Sequence, residues 1–162
     1  MCLEQKELKP VVMDAFGQSF ADHFSVCFLE DIYYLPDPKE VQRILAASRT
    51  SRLAYFENRF DCDDFAFGVK GEFSLYAYKR AQMKDRAICF GVVMGIFDWT
   101  NEAQNHAACF FVGRDRKVYL VEPKEPWLEM STDGVAMPRW IESEKIILHQ
   151  VSECKNCFLL LV

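Results

Sequence analysis

Residues 59–73, RFDCDDFAFGVKGEF, place one cysteine among three carboxylates at a predicted helix start. Asp61 is a good N-cap residue, and Asp63 and Asp64 complement the positive end of a helix. A thiol acts as a nucleophile in its thiolate form, which a helix N-terminus favours. The adjacent carboxylates oppose ionisation, so Cys62 needs a positive partner such as an imidazolium to be nucleophilic.

His106 is the histidine best placed to be that partner, since it opens a predicted strand, QNHAACFF. If the hairpin loop that follows centres near Arg114, His106 falls opposite Glu122, whose carboxylate would orient the ring. A shift of one residue in the turn would break this pairing. The residues alone leave two interpretations open: a Cys62–His106–Glu122 triad, or a buried thiol with an exposed histidine and a solvated glutamate.

Metal binding is a second chemistry that these residues could support. Asp61, Asp63 and Asp64 are hard oxygen ligands suited to calcium, but their spacing does not match an EF-hand loop. Cys154 and Cys157 form a single CxxC pair, and a structural zinc site needs about four ligands. The terminal cysteines are therefore interpreted as inert.

Three motifs in order, FDCDDFA, NHAACFF and KVYLVEP, resemble the papain-like C-terminal domain of fungal agglutinins and its stand-alone bacterial and phage-type relatives. The resemblance runs from about Tyr33 to Pro126. It implies a papain-like fold and cysteine peptidase activity on a peptide or protein substrate, with Cys62 as nucleophile, His106 as base and Glu122 as the group that orients it.

The same resemblance implies a calcium ion with Asp61, Asp63 and Asp64 as candidate ligands, although the chemistry itself requires no cofactor. The glutamine that papain-like enzymes carry six residues before the cysteine is replaced here by Phe56. We therefore expect Asn58 or Arg59 to complete the oxyanion hole with the backbone N–H of Cys62.

Two tryptophans are candidates for the walls of the substrate cleft, and packing in the core or at its rim is the alternative for both. Trp99 and Trp127 lie near the ends of the strands predicted to carry the catalytic residues. No β-trefoil region precedes the predicted domain in this sequence, so sugar binding is not carried over from the fungal relatives.

The elements that must position these residues can be predicted from capping and periodicity. Asp37 and Pro38 start a short helix, and apolar residues from Cys62 onward recur at helical spacing to form a buried stripe. Residues 10–24 are predicted as a short helix. Apolar runs after residue 86, the last two at residues 144–151 and 156–162, predict strands. Helices followed by strands indicate one α+β domain over residues 1–162, with helices packed on an antiparallel sheet.

Composition excludes several classes of protein. The net charge of −5 and the lack of a lysine and arginine cluster argue against nucleic-acid binding. No apolar run approaches the length of a membrane-spanning helix, and no signal peptide is evident. Seven cysteines, of which Cys27, Cys89 and Cys109 lie in apolar runs, predict buried, reduced thiols in the cytoplasm.

The leading hypothesis from the sequence is a papain-like cysteine peptidase or amidohydrolase. One alternative is a non-catalytic module that uses the acidic cluster to bind calcium or a basic partner. Another keeps the triad but transfers the acyl group to an amine, as transglutaminases do. The oligomeric state is left open.

Overall fold

The computed structural model describes residues 1–17, 20–54, 56, 59–97, 104–123, 128–130, 136–138 and 154–162. The predicted site residues Asn58 and Trp127 lie outside the described residues, as do Trp99 and the predicted strand at residues 144–151.

The described elements follow one another in a mixed order of helices and strands. In chain order they are β1 (Cys2–Glu4), α1 (Gln5–Phe16), β2 (Phe20–Cys27), β3 (Ile32–Tyr34), α2 (Pro38–Ala46), α3 (Cys62–Tyr78), β4 (Ala87–Ile88), β5 (Phe90–Phe97), β6 (Gln104–Val112), β7 (Val118–Val121), β8 (Leu128–Met130), β9 (Ala136–Pro138) and β10 (Cys154–Leu161). Short 3-10 turns occupy Thr50–Arg52 and Ala81–Met83.

The main sheet has five strands in the order β2-β10-β5-β6-β7. The pairs β10–β5, β5–β6 and β6–β7 are antiparallel, whereas β10 and β2 are parallel. A smaller sheet, β1-β3-β4, combines an antiparallel and a parallel pair, and β8 pairs with β9. The α+β class with an antiparallel sheet is confirmed, and the sheet contains one parallel pair, β10 beside β2, that the sequence did not predict.

Helices cover both faces of the main sheet because alternate strand residues enter two separate hydrophobic clusters. In β6, Ala108 and Phe110 pack with α1, while Cys109 and Phe111 pack with α2 and α3. The ring of Phe73 on α3 stacks on that of Phe90 with centroids 3.6 Å apart. This packing fixes α3 against the sheet whose strand β6 carries His106.

Local sequence signals explain where the helices begin. The Asp37 side chain accepts a hydrogen bond from the Lys39 N–H at 2.9 Å, and Pro38 starts α2, as predicted. The predicted helix at residues 10–24 is wrong in its bounds. A capping box formed by Glu4 and Glu7 starts α1 earlier, and the chain is already extended again by Phe20.

The predicted packing of the cysteines holds only in part. Cys89, Cys109 and Cys157 are buried in the core, as expected for small apolar side chains. Cys27 is exposed, because it lies on β2 at an edge of the main sheet. Within the described residues, no helix is both long and apolar enough to cross a membrane.

Candidate functional site at the start of α3

Cys62 is the first residue of α3 and is partly exposed. The backbone N–H of Asp61 donates to the Asp64 side chain at 3.2 Å, which closes the first turn of the helix. Just before it, the Phe60 ring packs edge-on against Phe65, with centroids 4.7 Å apart. These contacts hold the thiol at the helix start.

The imidazole of His106 on β6 links the thiol to a carboxylate. Its Nε2 lies 2.6 Å from Glu122 Oε2, and the ring is also hydrogen-bonded to the Cys62 side chain. The edge of the ring contacts Phe97 at a centroid distance of 5.7 Å. The structure thus brings Cys62, His106 and Glu122 together, while the roles predicted for them stay predictions.

Electrostatics favour the charged form of the imidazole. Burial lowers the pKa of His106, but hydrogen bonds to Cys62 and Glu122 and the negative charge of both partners outweigh burial and raise that pKa to about 9. The ring is therefore protonated at neutral pH. A positive charge therefore lies, partly buried, between the Cys62 side chain and the Glu122 carboxylate.

A compact acidic cluster shares this site. Ligand atoms of Asp61, Cys62 and Asp63 all lie within 4.8 Å of one another. A hydrogen bond with Asp61 raises the pKa of Asp63, with burial and the charge of Asp61 adding to the shift. The two carboxylates therefore lie close together at the start of α3. The Asp64 carboxylate, predicted as a third ligand, accepts the hydrogen bond that closes the first helix turn, and its ligand role stays a prediction.

Arg59, predicted to serve the oxyanion hole, is exposed, with its guanidinium carbon 5.7 Å from the centroid of the Phe56 ring. Phe56 and Phe60 form a short antiparallel bridge, with backbone hydrogen bonds of 3.0 and 2.8 Å, that turns the chain before α3. The oxyanion role of Arg59 stays a prediction, since its described contact is with this ring.

Sequence reasoning missed a carboxylate that anchors the approach to the site. Glu72 Oε1 accepts hydrogen bonds from the Arg49 N–H at 3.0 Å and from the N–H and hydroxyl of Thr50, both at 2.9 Å. These bonds tie the 3-10 turn that precedes the Phe56 bridge to the middle of α3. The only signal in the sequence was the helical position of Glu72, which gives no hint of its partners.

The chain matches a lectin family model, and its fold is similar to those of two solved structures. A family model described as "Ricin-type beta-trefoil lectin C-terminal domain" matches residues 9–137. A search of curated proteins gives no match. A solved structure described as the PSL1a-E64 complex aligns with a TM-score of 0.72 at 17% identity, covering 99% of this chain and 51% of that one.

A second solved structure is the Polyporus squamosus lectin bound to the human-type influenza-binding epitope Neu5Acα2-6Galβ1-4GlcNAc. It aligns with a TM-score of 0.68 at 18% identity, covering 99% of this chain and 49% of the lectin. The chain thus spans about half the length of each lectin. At these identities the likeness shows the fold.

These findings contradict the prediction of a papain-like cysteine peptidase of the agglutinin type that acts on peptide or protein substrates. The matching family is a lectin domain, and one of the similar structures is a lectin bound to a glycan. The physical reason for the error is that a thiol, an imidazole and a carboxylate in contact specify neither a substrate nor a reaction. The chain belongs to the family of ricin-type beta-trefoil lectin C-terminal domains.

Proposed function

We propose that this chain is a non-catalytic binding module of a glycan-binding lectin and that the site at the start of α3 takes a calcium ion. The observation that carries the proposal is the cluster of Asp61, Cys62 and Asp63, whose ligand atoms lie within 4.8 Å of one another. It occurs in a domain of a lectin family.

The closeness of Asp61 and Asp63 is the physical argument for a cation. A hydrogen bond with Asp61, then burial, then the charge of Asp61 raise the pKa of Asp63. A divalent cation between the two carboxylates would remove the repulsion between their charges. The two carboxylates offer at most four oxygens, and calcium takes six to eight, so further oxygens would come from water, backbone or ligand.

A sugar is the ligand that fits such an incompletely ligated calcium ion, because its hydroxyl groups are oxygen donors. The Polyporus squamosus lectin carries the epitope Neu5Acα2-6Galβ1-4GlcNAc. Since this chain spans about half of that lectin, glycan binding by this half alone is part of the proposal. Calcium should then strengthen glycan binding.

Calorimetric titration with calcium chloride tests the cation site. We expect one ion to bind the wild type, Asp63→Asn to weaken binding by about ten-fold or more, and Asp85→Asn to bind as the wild type does. Asp85 is a matched control because it is an exposed aspartate outside the cluster. Equal calcium affinity in Asp63→Asn and the wild type would show that the cluster is not the site.

Binding of this chain to immobilised Galβ1-4GlcNAc and to its Neu5Acα2-6 form, with calcium or with a chelator, tests the glycan. We expect the immobilised glycans to retain the chain in the presence of calcium and to retain less of it in the presence of the chelator. A chain that binds calcium but no glycan contradicts the lectin part of the proposal. Hydrolysis of a peptide library that Cys62→Ala abolishes would contradict the non-catalytic part and restore the peptidase hypothesis.

A second candidate function is a ligand site for thiol-directed electrophiles, which the hydrogen bond between Cys62 and His106 favours. Under this second candidate, we also propose that the α+β fold is of the papain-like type. The Cys62 thiolate would attack an epoxide carbon, the C–O bond would open, and the His106 imidazolium would protonate the released alkoxide. Glu122 would hold the ring in place.

The epoxide E64, which is named with PSL1a in its complex, is a suitable probe for this candidate. Mass spectrometry should find one adduct, on Cys62, that is much slower to form in His106→Ala. Cys27 is an internal control, since it is more exposed than Cys62. If E64 labels Cys27 as fast as it labels Cys62, the Cys62 thiol is not activated.

A further inference from the structure

A lysine lies on the side of α3 that packs against the sheet. Lys70 is four residues after Ala66 and three before Phe73, both of which are buried in the core. Lysine is rarely found on such a stripe, because its ammonium group loses hydration there. The Nζ of Lys70 donates a hydrogen bond to the Phe90 carbonyl oxygen at 3.0 Å, a neutral partner that does not balance its charge. Packing alone therefore does not explain why this position is a lysine.

The side chain of Lys70 also borders a cavity. Among the described residues, the second half of α3, the loop between β2 and β3 and the segment that leads into β4 enclose about 490 Å³. This volume is within the range of sites for small molecules. Lys70 lies eight residues after Cys62, about 12 Å along the helix axis. The cavity is thus separate from the site at the start of α3.

Burial changes the acid–base behaviour of Lys70. Loss of hydration lowers the pKa of its ammonium group, while Glu30 and the ionised forms of Cys109 and Cys89 oppose this shift. At a given pH, a larger fraction of Lys70 is therefore in the neutral amine form than of an exposed lysine. The neutral amine has a free lone pair and is the nucleophilic form of lysine.

The lining of the cavity favours a ligand without net charge. Its described charged side chains are three basic and three acidic ones: Lys70, Lys84, Arg86, Glu30, Asp31 and Asp85. Because their formal charges cancel, neither an anion nor a cation is favoured overall. Large apolar side chains belong to the same lining, with Leu29 55% and Ile32 37% exposed. An exposed apolar edge beside an amine suits a neutral molecule with an apolar chain and a carbonyl group.

We propose that this cavity takes a small aliphatic aldehyde and that Lys70 binds it as an imine. The lone pair of Nζ attacks the carbonyl carbon, a C–N bond forms, and the carbonyl oxygen takes up a proton. The carbinolamine then loses this oxygen as water, which carries away both amine hydrogens, and a C=N bond remains. One amine and one aldehyde give one imine and one water, so no oxidant or reductant is needed. The proposal is independent of calcium and glycan binding.

Reductive trapping tests the role of Lys70. The full 162-residue chain is incubated at neutral pH with hexanal and sodium cyanoborohydride, which reduces an imine to a stable secondary amine. Peptide mapping by mass spectrometry then locates the adducts. We expect hexanal to label Lys70 several-fold faster than Lys79, an exposed lysine that directly follows α3. Labelling of Lys70 that is no faster than that of Lys79 overturns the proposal.

A pair of tryptophan variants tests the role of the cavity. Ser74 is exposed, lies one helical turn after Lys70 and lines the cavity, so Ser74→Trp should narrow it. We expect this variant to slow the labelling of Lys70 by hexanal several-fold and to leave that of Lys79 unchanged. Leu75→Trp is the matched control, since Leu75 is exposed and is not among the described residues that line the cavity.

A smaller aldehyde distinguishes loss of space from loss of reactivity. Formaldehyde has no chain, so it should still label Lys70 in Ser74→Trp at close to the wild-type rate. Circular dichroism verifies that both tryptophan variants fold, and the comparison of Lys70 with Lys79 in the wild type does not depend on either variant. If hexanal labels Lys70 equally fast in Ser74→Trp and Leu75→Trp, the cavity does not hold the aldehyde and the proposal is overturned.

Discussion

His106 Nε2 and Glu122 Oε2 lie 2.6 Å apart, although the strands do not place these residues opposite each other. Cys109 pairs with Val121 in the β6–β7 ladder, so the position level with Glu122 is Ala108. His106 is two residues earlier on the same face of β6, and its ring meets the carboxylate diagonally. The sequence-based register was off by two residues. Because a register shift of two residues keeps each side chain on the same face of the sheet, His106 and Glu122 still meet.

Glu122 should contribute to the raised pKa of His106 alongside Cys62. Replacing Glu122 by glutamine keeps a hydrogen-bonding side chain of the same shape and leaves the hydrogen bond to Cys62, but it removes one of the two negative charges that raise the pKa of His106. NMR titration of the ring protons should give a pKa of about 9 in the wild type and a value closer to 6.5 in Glu122→Gln. Glu30→Gln, at an exposed glutamate, is the control. Equal pKa values of His106 in the wild type and Glu122→Gln would show that the Glu122 carboxylate does not raise this pKa.

The same shift predicts how stability depends on pH. Because the pKa of His106 is raised in the folded state, its contribution to the free energy of unfolding is fully present below about pH 6.5 and is lost as the pH rises through 9. The contribution amounts to about 3 kcal/mol at most. Urea denaturation at several pH values should show this loss in the wild type, and His106→Ala should lack it. A His106→Ala variant with the same decline would assign the pH dependence to other groups.

Gly91 on β5 lies where a side chain cannot fit. A Cβ there would come within 2.4 Å of the Leu161 carbonyl oxygen and 2.6 Å of the Phe110 ring. Since the first neighbour is backbone, the strand pair itself must shift, and Gly91→Ala should cost about 2–3 kcal/mol of the free energy of unfolding. Gly71→Ala, in open space, should cost nothing and stabilise α3 by up to about 1 kcal/mol. Chemical denaturation of both variants, measured at low concentration, distinguishes a steric requirement from the ordinary effect of replacing glycine.

Sequence reasoning predicted the helix starts better than it predicted the strand pairings. The start of α2, the start and buried stripe of α3, and the β6–β7 hairpin followed from caps, periodicity and a turn signal, all of which act within a few residues. The β10–β2 pairing did not follow, because it joins residues more than a hundred positions apart and leaves no local mark. The meeting of Cys62 with His106 likewise depends on the packing of α3 against β6, two elements far apart in the sequence. The exposed Cys27 was missed because its apolar neighbours do not reveal that β2 is an edge strand.

The hairpin turn contains a strained residue that substitution should relieve. Arg116 has a φ of 59°, the left-handed region that a side chain disfavours by about 1 kcal/mol or more. The turn needs this conformation, since the Arg116 N–H donates to the Gly113 carbonyl at 2.9 Å. Arg116→Gly should therefore raise the free energy of unfolding by about 0.5–1 kcal/mol, and thermal denaturation should show a higher melting temperature. Arg52→Gly, at an exposed residue in the 3-10 turn without a positive φ, should not stabilise the fold.

A buried carboxylate ties α2 to α3 and to the small sheet. Glu40 is 4% exposed; its oxygens accept hydrogen bonds from the Tyr34 hydroxyl at 2.8 Å and the Tyr76 hydroxyl at 3.4 Å, and Arg80 lies 3.2 Å away. Removing the charge leaves the Arg80 guanidinium partly buried without its counterion. Glu40→Gln should thus lower the free energy of unfolding by about 1–2 kcal/mol, and Glu40→Ala by more.

A double-mutant cycle identifies the origin of that loss. If the ion pair is responsible, Arg80→Met should cost as much as Glu40→Gln, and the double variant should cost little more than either single variant. Additive losses would assign the effect to the tyrosine hydroxyls instead. The exposed Glu30→Gln again serves as the control for the loss of one negative charge. Because Glu40 lies on α2, away from the start of α3, calcium binding by Glu40→Gln should match the wild type under conditions where both are folded.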